Sequence, residues 1–202
     1  MSKKWYGSVN NRIDEGKYYN GTYKNLKNGD DITMYYWSDR VPYYIVRVVD
    51  QKDIFVKRYS VCADHHKEGG MGHQNWLYFR TELDECKYLN LCVKEGLLPE
   101  SMYKNLNEVS VSKPEEWVYR YNKWQKVVRY DLNTWLSAVD EARKDTTNPD
   151  DIEKVENLAM YYSGLSKEEV QKIKNGKTVN RYSDLSGKVS FGYREYYYDW
   201  EF

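Results

Sequence analysis

All three histidines of the sequence lie within nine residues, at His65, His66 and His73, and Cys62 precedes them. Zinc takes four nitrogen, sulfur or oxygen ligands in a tetrahedron, so these side chains have suitable chemistry. The sequence has no second Cys-x-x-Cys pair and no spaced histidine pair to complete a known zinc pattern. We therefore expect a polar loop with no metal and no cofactor. A metal-dependent enzyme at Cys62, His65, His66 and His73 is the alternative.

Nucleophilic catalysis would also have to use this loop, because it holds every histidine. Such catalysis requires a base beside the nucleophile and a third group that orients the base. Gly69 and Gly70 offer backbone donors nearby, but no nucleophile elbow, phosphate-cradling loop or paired-carboxylate motif occurs in the sequence. We therefore expect no catalytic residues and a protein that is not an enzyme.

A second pattern is typical of a DNA-binding helix-turn-helix. Gly164 stands at the turn, and Val170 and Ile173 follow at the spacing of the second helix. The side chains that would contact DNA phosphates are Lys167, Lys172 and Lys174.

Two features oppose DNA binding at this helix pair. Met160 stands where the motif requires a small residue, and Glu168 and Glu169 would repel phosphates. Two packed helices joined by a capped turn account for the same spacing. A DNA-binding regulator that uses residues 152–174 is therefore an alternative and not the favoured function.

A third candidate lies at the end of a predicted strand, where Trp37, Asp39 and Arg40 follow one another closely. Asp39 and Arg40 have the chemistry of a surface recognition pair. We favour a structural interpretation, because Asp and Ser are ordinary turn residues: Asp39 bonds backbone amides of its own turn and Arg40 stacks on an aromatic ring. We keep Trp37, Asp39 and Arg40 as candidate binding residues.

The C-terminal residues form an alternating aromatic pattern. Tyr196, Tyr198 and Trp200 share one face of an extended chain, and Tyr197 and Asp199 lie on the other. We expect 196–202 to be part of the fold. In the alternative, this tail is the surface that binds the target, and Tyr197 and Asp199 are its candidate binding residues.

The composition bounds the class of protein that must position these residues. The chain has 202 residues, and 31 basic side chains balance 31 acidic ones, which argues against coating nucleic acid by bulk electrostatics. The 22 tyrosines and 7 tryptophans predict an aromatic core. No apolar run approaches the ~18 residues that cross a bilayer. We see no signal peptide, and three cysteines fit free thiols in a reducing cytosol.

The first half predicts strands. Alternation and turn residues indicate a three-stranded meander over 31–37, 41–49 and 54–62, with the second strand central because it is apolar on both faces. Another strand is expected over 75–80. Thr81 can cap a helix that runs to about residue 93.

The second half predicts a hairpin and then helices. The hairpin joins 117–122 to 124–130. Leu132, Trp135, Leu136, Val139 and Ala142 share one helix face. Asn148 and Pro149 indicate a second helix start, and a Ser166–Glu169 capping box indicates a third. Strand character returns over 188–193, and we expect this strand to pair with the first one.

Several short stretches resemble a group of small bacteriophage-encoded proteins of unknown function. These stretches are 5–12, 36–40 with its Trp-Ser-Asp-Arg strand-turn motif, 50–52, 75–76, and the Ser-Phe-Gly and Tyr-Tyr-Tyr-Asp tail within 189–199. The resemblance is weakest over 82–116 and 131–180 and brings no catalytic residue. It implies a phage or prophage gene product that acts in the host bacterial cytoplasm.

Together these features predict an α+β fold with a small antiparallel sheet or partly closed barrel. The expected organisation is a β-rich core over 1–130, a helical insertion over 131–180, and a C-terminal strand and tail over 181–202 that return to the core. The first functional hypothesis is a phage-encoded non-enzymatic binding protein, an anti-CRISPR type of inhibitor. Its expected partner is a host protein or nucleoprotein complex, not a membrane.

Overall fold

The computed structural model describes residues 25–36, 39–67, 75–121, 123–185, 187–192 and 194. The chain divides into two compact units. The first unit contains 1–126 and 184–202, and the second contains 127–183. The predicted helical insertion, 131–180, falls inside the second unit.

The described strands form a seven-stranded sheet and a two-stranded sheet. The strands are β1 Asp31–Tyr35, β2 Arg40–Asp50, β3 Asp53–Arg58, β4 Ser60–Ala63, β5 Trp76–Phe79, β6 Glu115–Arg120, β7 Lys123–Tyr130, β8 Val179–Asp184 and β9 Lys188–Phe191. The larger sheet has the order β8-β7-β6-β3-β2-β1-β9, and β4 pairs with β5. The predicted α+β class is confirmed. The larger sheet is open, so the barrel alternative is wrong.

The predicted meander is confirmed for its first two strands, but the third one breaks at Tyr59. The Tyr59 amide donates to the Pro42 carbonyl at 3.0 Å, and its hydroxyl donates to Asp31 Oδ1 at 2.6 Å. These bonds hold a buried ring at the point where the chain leaves β3 for β4 in the other sheet. Because the apolar alternation continues through Tyr59, the sequence pattern shows no break there.

The expected pairing of the first and last strands is confirmed. β1 and β9 are antiparallel, with Ile32 opposite Phe191. Phe191 is fully buried, and its ring centroid lies 5.4 Å from that of Trp124 in β7. Burying each such side chain contributes ~1.5–3 kcal/mol, so β9 helps to close the core of the first unit.

The helix predicted after Thr81 is also confirmed. Helix α1 spans Glu82–Lys94, and the Thr81 side chain accepts a hydrogen bond from the Asp84 amide, which caps its N-terminus. Two 3₁₀ turns follow at Glu100–Met102 and Leu106–Glu108 and contact α1. The segment that runs back along α1 is therefore irregular but ordered by that helix.

The second unit contains α2 Leu132–Asp145, α3 Ile152–Ser163 and α4 Lys167–Lys174. The predicted start of the second helix at Asn148-Pro149 is wrong, because Asp151 is the cap and accepts from the Lys154 amide at 3.1 Å. The Asp151 amide instead closes a turn onto the Asn148 carbonyl at 3.2 Å. The Ser166 capping box is confirmed.

The core of the second unit is smaller than the apolar helix stripes indicate. Its buried members are Trp135, Ala142, Val155, Ala159, Leu165, Val170 and Ile173. Leu132 and Leu136, which the periodicity placed on the same face, are exposed. Within the described residues, no helix is long and apolar enough to cross a membrane.

Candidate functional site

Helix α1 and the segment that follows it, residues 95–114, border a concave surface of the first unit. Glu82 and Glu85 occupy the first turn of α1. Negatively charged carboxylates at a helix N-terminus stabilise the helix, because the backbone N–H groups there carry partial positive charge. The local sequence thus places three acidic groups, Glu82, Asp84 and Glu85, at the start of the helix. Glu82 and Glu85 border a cleft together with residues 103–110 of the segment 95–114, which runs back along α1 and is called the returning segment.

Asn90 holds the returning segment against α1. Its side-chain amide donates to the Lys104 carbonyl at 2.8 Å, and its Oδ1 accepts from the Lys104 amide at 2.9 Å. Asn90 is only 5% exposed, so both bonds are largely shielded from water. A buried amide with both ends paired in this way fixes the distance between helix and segment.

Two clefts lie between α1, the returning segment and neighbouring strands. The larger one, of about 500 Å³, is lined by Glu82, Glu85, Cys86, Tyr103, Lys104, Asn105, Glu108, Val109 and Ser110. The smaller one, of about 270 Å³, is lined by Arg58, Tyr59, Ser60, Val61, Glu82, Glu85 and Ser112. Because Glu82 and Glu85 line both, the two clefts adjoin along an acidic wall.

The acidic wall is held by neutral hydrogen-bond donors. Glu82 Oε1 accepts from the Ser112 amide at 3.2 Å, and Glu85 accepts from the Ser60 hydroxyl. Glu82 Oε2 is buried with no hydrogen-bond partner among the described residues. Burial raises the pKa of Glu82, but its interactions with Ser112 and Lys57 outweigh this, so the pKa lies below its ordinary value. Glu82 is therefore a carboxylate at neutral pH.

The returning segment also exposes large apolar side chains. Tyr103, which lines the larger cleft, is 53% exposed, and Val111, between two cleft-lining serines, is 67% exposed. Met102 and Leu106 are exposed in the same segment. We call the two clefts together with Met102, Tyr103, Leu106 and Val111 the α1 surface.

The histidine loop predicted as a weak metal candidate lies near the other end of α1. His66 Nε2 is 2.9 Å from Glu95 Oε2, and the Tyr88 hydroxyl accepts from the His65 amide at 2.9 Å. Burial and the nearby Glu85 carboxylate raise the pKa of Cys62 to about 12, so its thiol is protonated at neutral pH. Among the described residues, no group of His, Cys, Asp or Glu is arranged to hold a metal ion; His73 lies outside them.

The strand-end candidates are placed differently from a surface pair. Arg40 is 5% exposed, and its guanidinium carbon lies 6.0 Å from the centre of the Tyr35 ring. The Asp39 carbonyl accepts from the Tyr36 amide at 2.8 Å. The Arg40 side chain predicted as a surface contact is therefore buried. Trp37, Tyr197 and Asp199 lie outside the described residues, as does the tail over 196–202.

The three lysines of the DNA-binding alternative are exposed on α4. Lys174 Nζ lies 2.7 Å from Glu156 Oε1, and Arg181 lies 3.4 Å from Glu169. Lys174 and Arg181 are therefore each paired with a carboxylate. Lys167 and Lys172 lie on the same helix as the acidic Glu168. The geometry gives α4 a mixed charge rather than a basic face.

Sequence reasoning missed the α1 surface. The apolar spacing of 82–94 is irregular, and the segment 95–114 has neither strand nor helix periodicity. The available signal was Asn90, an amide within an otherwise apolar face that contains Cys86 and Leu89. A buried amide requires partners, which predicts a backbone segment packed against the helix there.

Comparison of the chain with protein-family models, curated proteins and solved structures gave no match.

Proposed function

We propose that this chain is a phage-encoded, non-enzymatic binding protein that acts on a host macromolecule as a counter-defence inhibitor of the anti-CRISPR type. The observation that supports binding is the α1 surface, where exposed Tyr103 and Val111 border two adjoining clefts. Large apolar side chains beside concave, partly polar walls are typical of protein interaction sites. The phage origin in the proposal derives from the sequence resemblance. The counter-defence role is inferred from that origin together with the aromatic-rich sequence and its lack of a catalytic motif.

The α1 surface is ordered before any partner binds. Asn90 fixes Lys104, and Glu82 fixes the Ser112 amide, so the segment that carries Tyr103 and Val111 is held at two points. An interface that is already shaped loses less conformational entropy on association. This preorganisation suits a protein whose activity is tight, stoichiometric binding.

A phage-plating experiment tests the proposed function. Bacteria with an active CRISPR–Cas system and a matching spacer would express the protein and be infected with the targeted phage. We expect plaques to be restored by the wild-type protein and lost with Tyr103→Asp combined with Val111→Asp. The matched control, Leu136→Asp combined with Ile152→Asp, removes two exposed apolar side chains from the second unit and should retain protection.

Absence of protection by the wild-type protein against every CRISPR–Cas type tested would overturn the counter-defence function. Equal loss of protection in both double variants, with both proteins folded by circular dichroism, would remove the α1 surface from the proposal.

A further inference from the structure

The charges around the two clefts are unequal. Glu82 and Glu85 line both clefts and Glu108 lines the larger one, whereas the basic lining side chains are Lys104 in the larger cleft and Arg58 in the smaller. Among the described residues, no lysine or arginine lies at ion-pair distance from any of these three carboxylates, although the more distant charge of Lys57 acts on Glu82. Their hydrogen bonds come from Ser112, Ser60 and Asn105.

A hydrogen bond from a neutral donor does not remove the negative charge of the carboxylate that accepts it. Asn105 donates to Glu108 Oε1 at 2.8 Å, and the amide of Ser112 donates to Glu82 at 3.2 Å. These bonds position the oxygens without cancelling their field. Inside a cleft, where solvent screens less than on an open surface, such a field attracts cations.

The apolar side chains exclude a small cation as the whole ligand. Tyr103 lines the larger cleft and Val111 lies between the lining residues Ser110 and Ser112. A ligand that covers both, as well as the acidic wall, must carry apolar groups beside its charges. Nucleic acid is disfavoured, because its phosphates would meet Glu82, Glu85 and Glu108.

We propose that the α1 surface binds an extended protein segment in which arginine or lysine side chains alternate with large apolar ones. The cationic side chains face the acidic wall, and the apolar ones cover Tyr103 and Val111. This inference rests on the proposed function for its biological setting, and it names the chemistry of the host partner. Charge complementarity sets the register of the segment, and apolar burial supplies most of the affinity.

Fluorescence anisotropy with two labelled peptides tests the inference. The first peptide alternates arginine with leucine, and the second has the same pattern with glutamate in place of arginine. We expect the arginine peptide alone to bind. Combined Glu82→Gln, Glu85→Gln and Glu108→Gln should weaken it by about tenfold, a change typical of several rim charges. Raising salt from about 0.05 M to about 0.3 M should weaken it further.

Two variant sets make the result specific to the α1 surface. The control, Asp140→Gln with Glu141→Gln and Glu153→Gln, removes the same number of exposed acidic charges from α2 and α3 and should leave the affinity unchanged. Tyr103→Ser with Val111→Ser keeps the acidic wall and should also weaken the peptide, which covers the case in which the glutamine variant fails to fold.

Three results would overturn the inference: equal binding of both peptides, equal weakening by the control set, or tighter binding of a labelled single-stranded DNA than of the arginine peptide. Self-association of the protein abolished by the glutamine set would assign the surface to a second copy instead. Peptide binding without phage protection would contradict the proposed function alone, so the two failures are distinguishable.

Discussion

The α1 surface and the α3–α4 pair are both helical regions with many charged side chains, but their charges have different neighbours. On α3 and α4, Lys174 faces Glu156 at 2.7 Å, and Glu169 is shared between the capping box and Arg181. In the α1 surface, Glu82 and Glu85 line open clefts and accept hydrogen bonds from neutral donors, the Ser112 amide and the Ser60 hydroxyl. Exposed ion pairs contribute little to the free energy of folding. Side chains that are already paired are also less available to a binding partner.

This difference indicates which of the two charged regions is better suited to bind a partner, although the net charge of the chain is zero. The net charge of zero does not exclude binding at either region. In the sequence, the lysines of α4 suggest DNA binding because they follow a turn typical of a helix-turn-helix. We infer that local pairing, and not net charge, decides which charged side chains are available to a binding partner. We therefore expect substitutions in the α3–α4 pair to change stability and substitutions in the α1 surface to change binding.

The largest expected effect is in the core of the second unit. Trp135→Ala removes a buried indole that packs among the helices, which should cost about 3–5 kcal/mol in free energy of unfolding. Lys174→Ala, which breaks the ion pair with Glu156, should cost less than about 1 kcal/mol. Urea unfolding followed by circular dichroism measures both. Similar costs for the two variants would show that charge pairs, not the apolar core, hold this unit.

Asn90→Ala should have the next largest effect. It removes two hydrogen bonds to Lys104 and leaves that residue's backbone groups without them, for a loss of about 2–3 kcal/mol. Because the returning segment loosens, affinity for the arginine–leucine peptide should fall as well. Asn133→Ala, at an exposed position of α2, is the control and should change neither quantity. Unchanged peptide affinity in the Asn90 variant would show that the clamp does not shape the α1 surface.

A smaller effect is expected at the start of α4. Ser166→Ala removes the side chain that accepts from the Glu169 amide, and loss of such a cap costs about 1 kcal/mol. Peptide binding should be unaffected. Thermal unfolding of this variant, compared with the exposed Ser137→Ala in α2, measures the cost. A destabilised Ser137 variant with an unaffected Ser166 variant would contradict the role of the capping box.

The smallest expected effect is a pH dependence at Asp131, the cap of α2. Hydrogen bonds from Thr134 hold its pKa below the ordinary value. Its stabilising contribution is therefore present above the unfolded-state pKa of about 3.9 and is lost as pH falls through the lower folded-state value. The melting temperature of Asp131→Asn should approach that of the wild type as pH falls through this window. A difference that grows toward low pH would contradict the assignment.

The sequence predicted those elements whose side-chain period and caps agree. Ile32, Ile45 and Val56 alternate with the sheet, and Thr81 and Ser166 cap helices where the pattern begins. The prediction that 54–62 is one strand is wrong because alternation cannot reveal that Tyr59 bonds to Asp31 and Pro42. Strand β8 escaped notice because it is an exposed, polar edge strand, and edge strands need no apolar face.

The α1 surface could not be predicted because it depends on contacts between residues far apart in sequence. Glu82 and Ser112 meet across 30 positions, and Glu85 meets Ser60 across 25. Neither spacing carries a periodic signal. The candidates that the sequence did suggest were clusters of neighbouring residues, such as His65 with His66, whose proximity along the chain does not require a shared ligand.

Hydrogen–deuterium exchange with and without the arginine–leucine peptide tests most directly whether the α1 surface is the binding surface. The account predicts slower exchange in residues 100–112 when the peptide is present, unchanged exchange across α3 and α4, and no protection in the variant that combines Glu82→Gln, Glu85→Gln and Glu108→Gln. Protection confined to α4, or exchange in residues 100–112 that the bound peptide leaves unchanged, would contradict it.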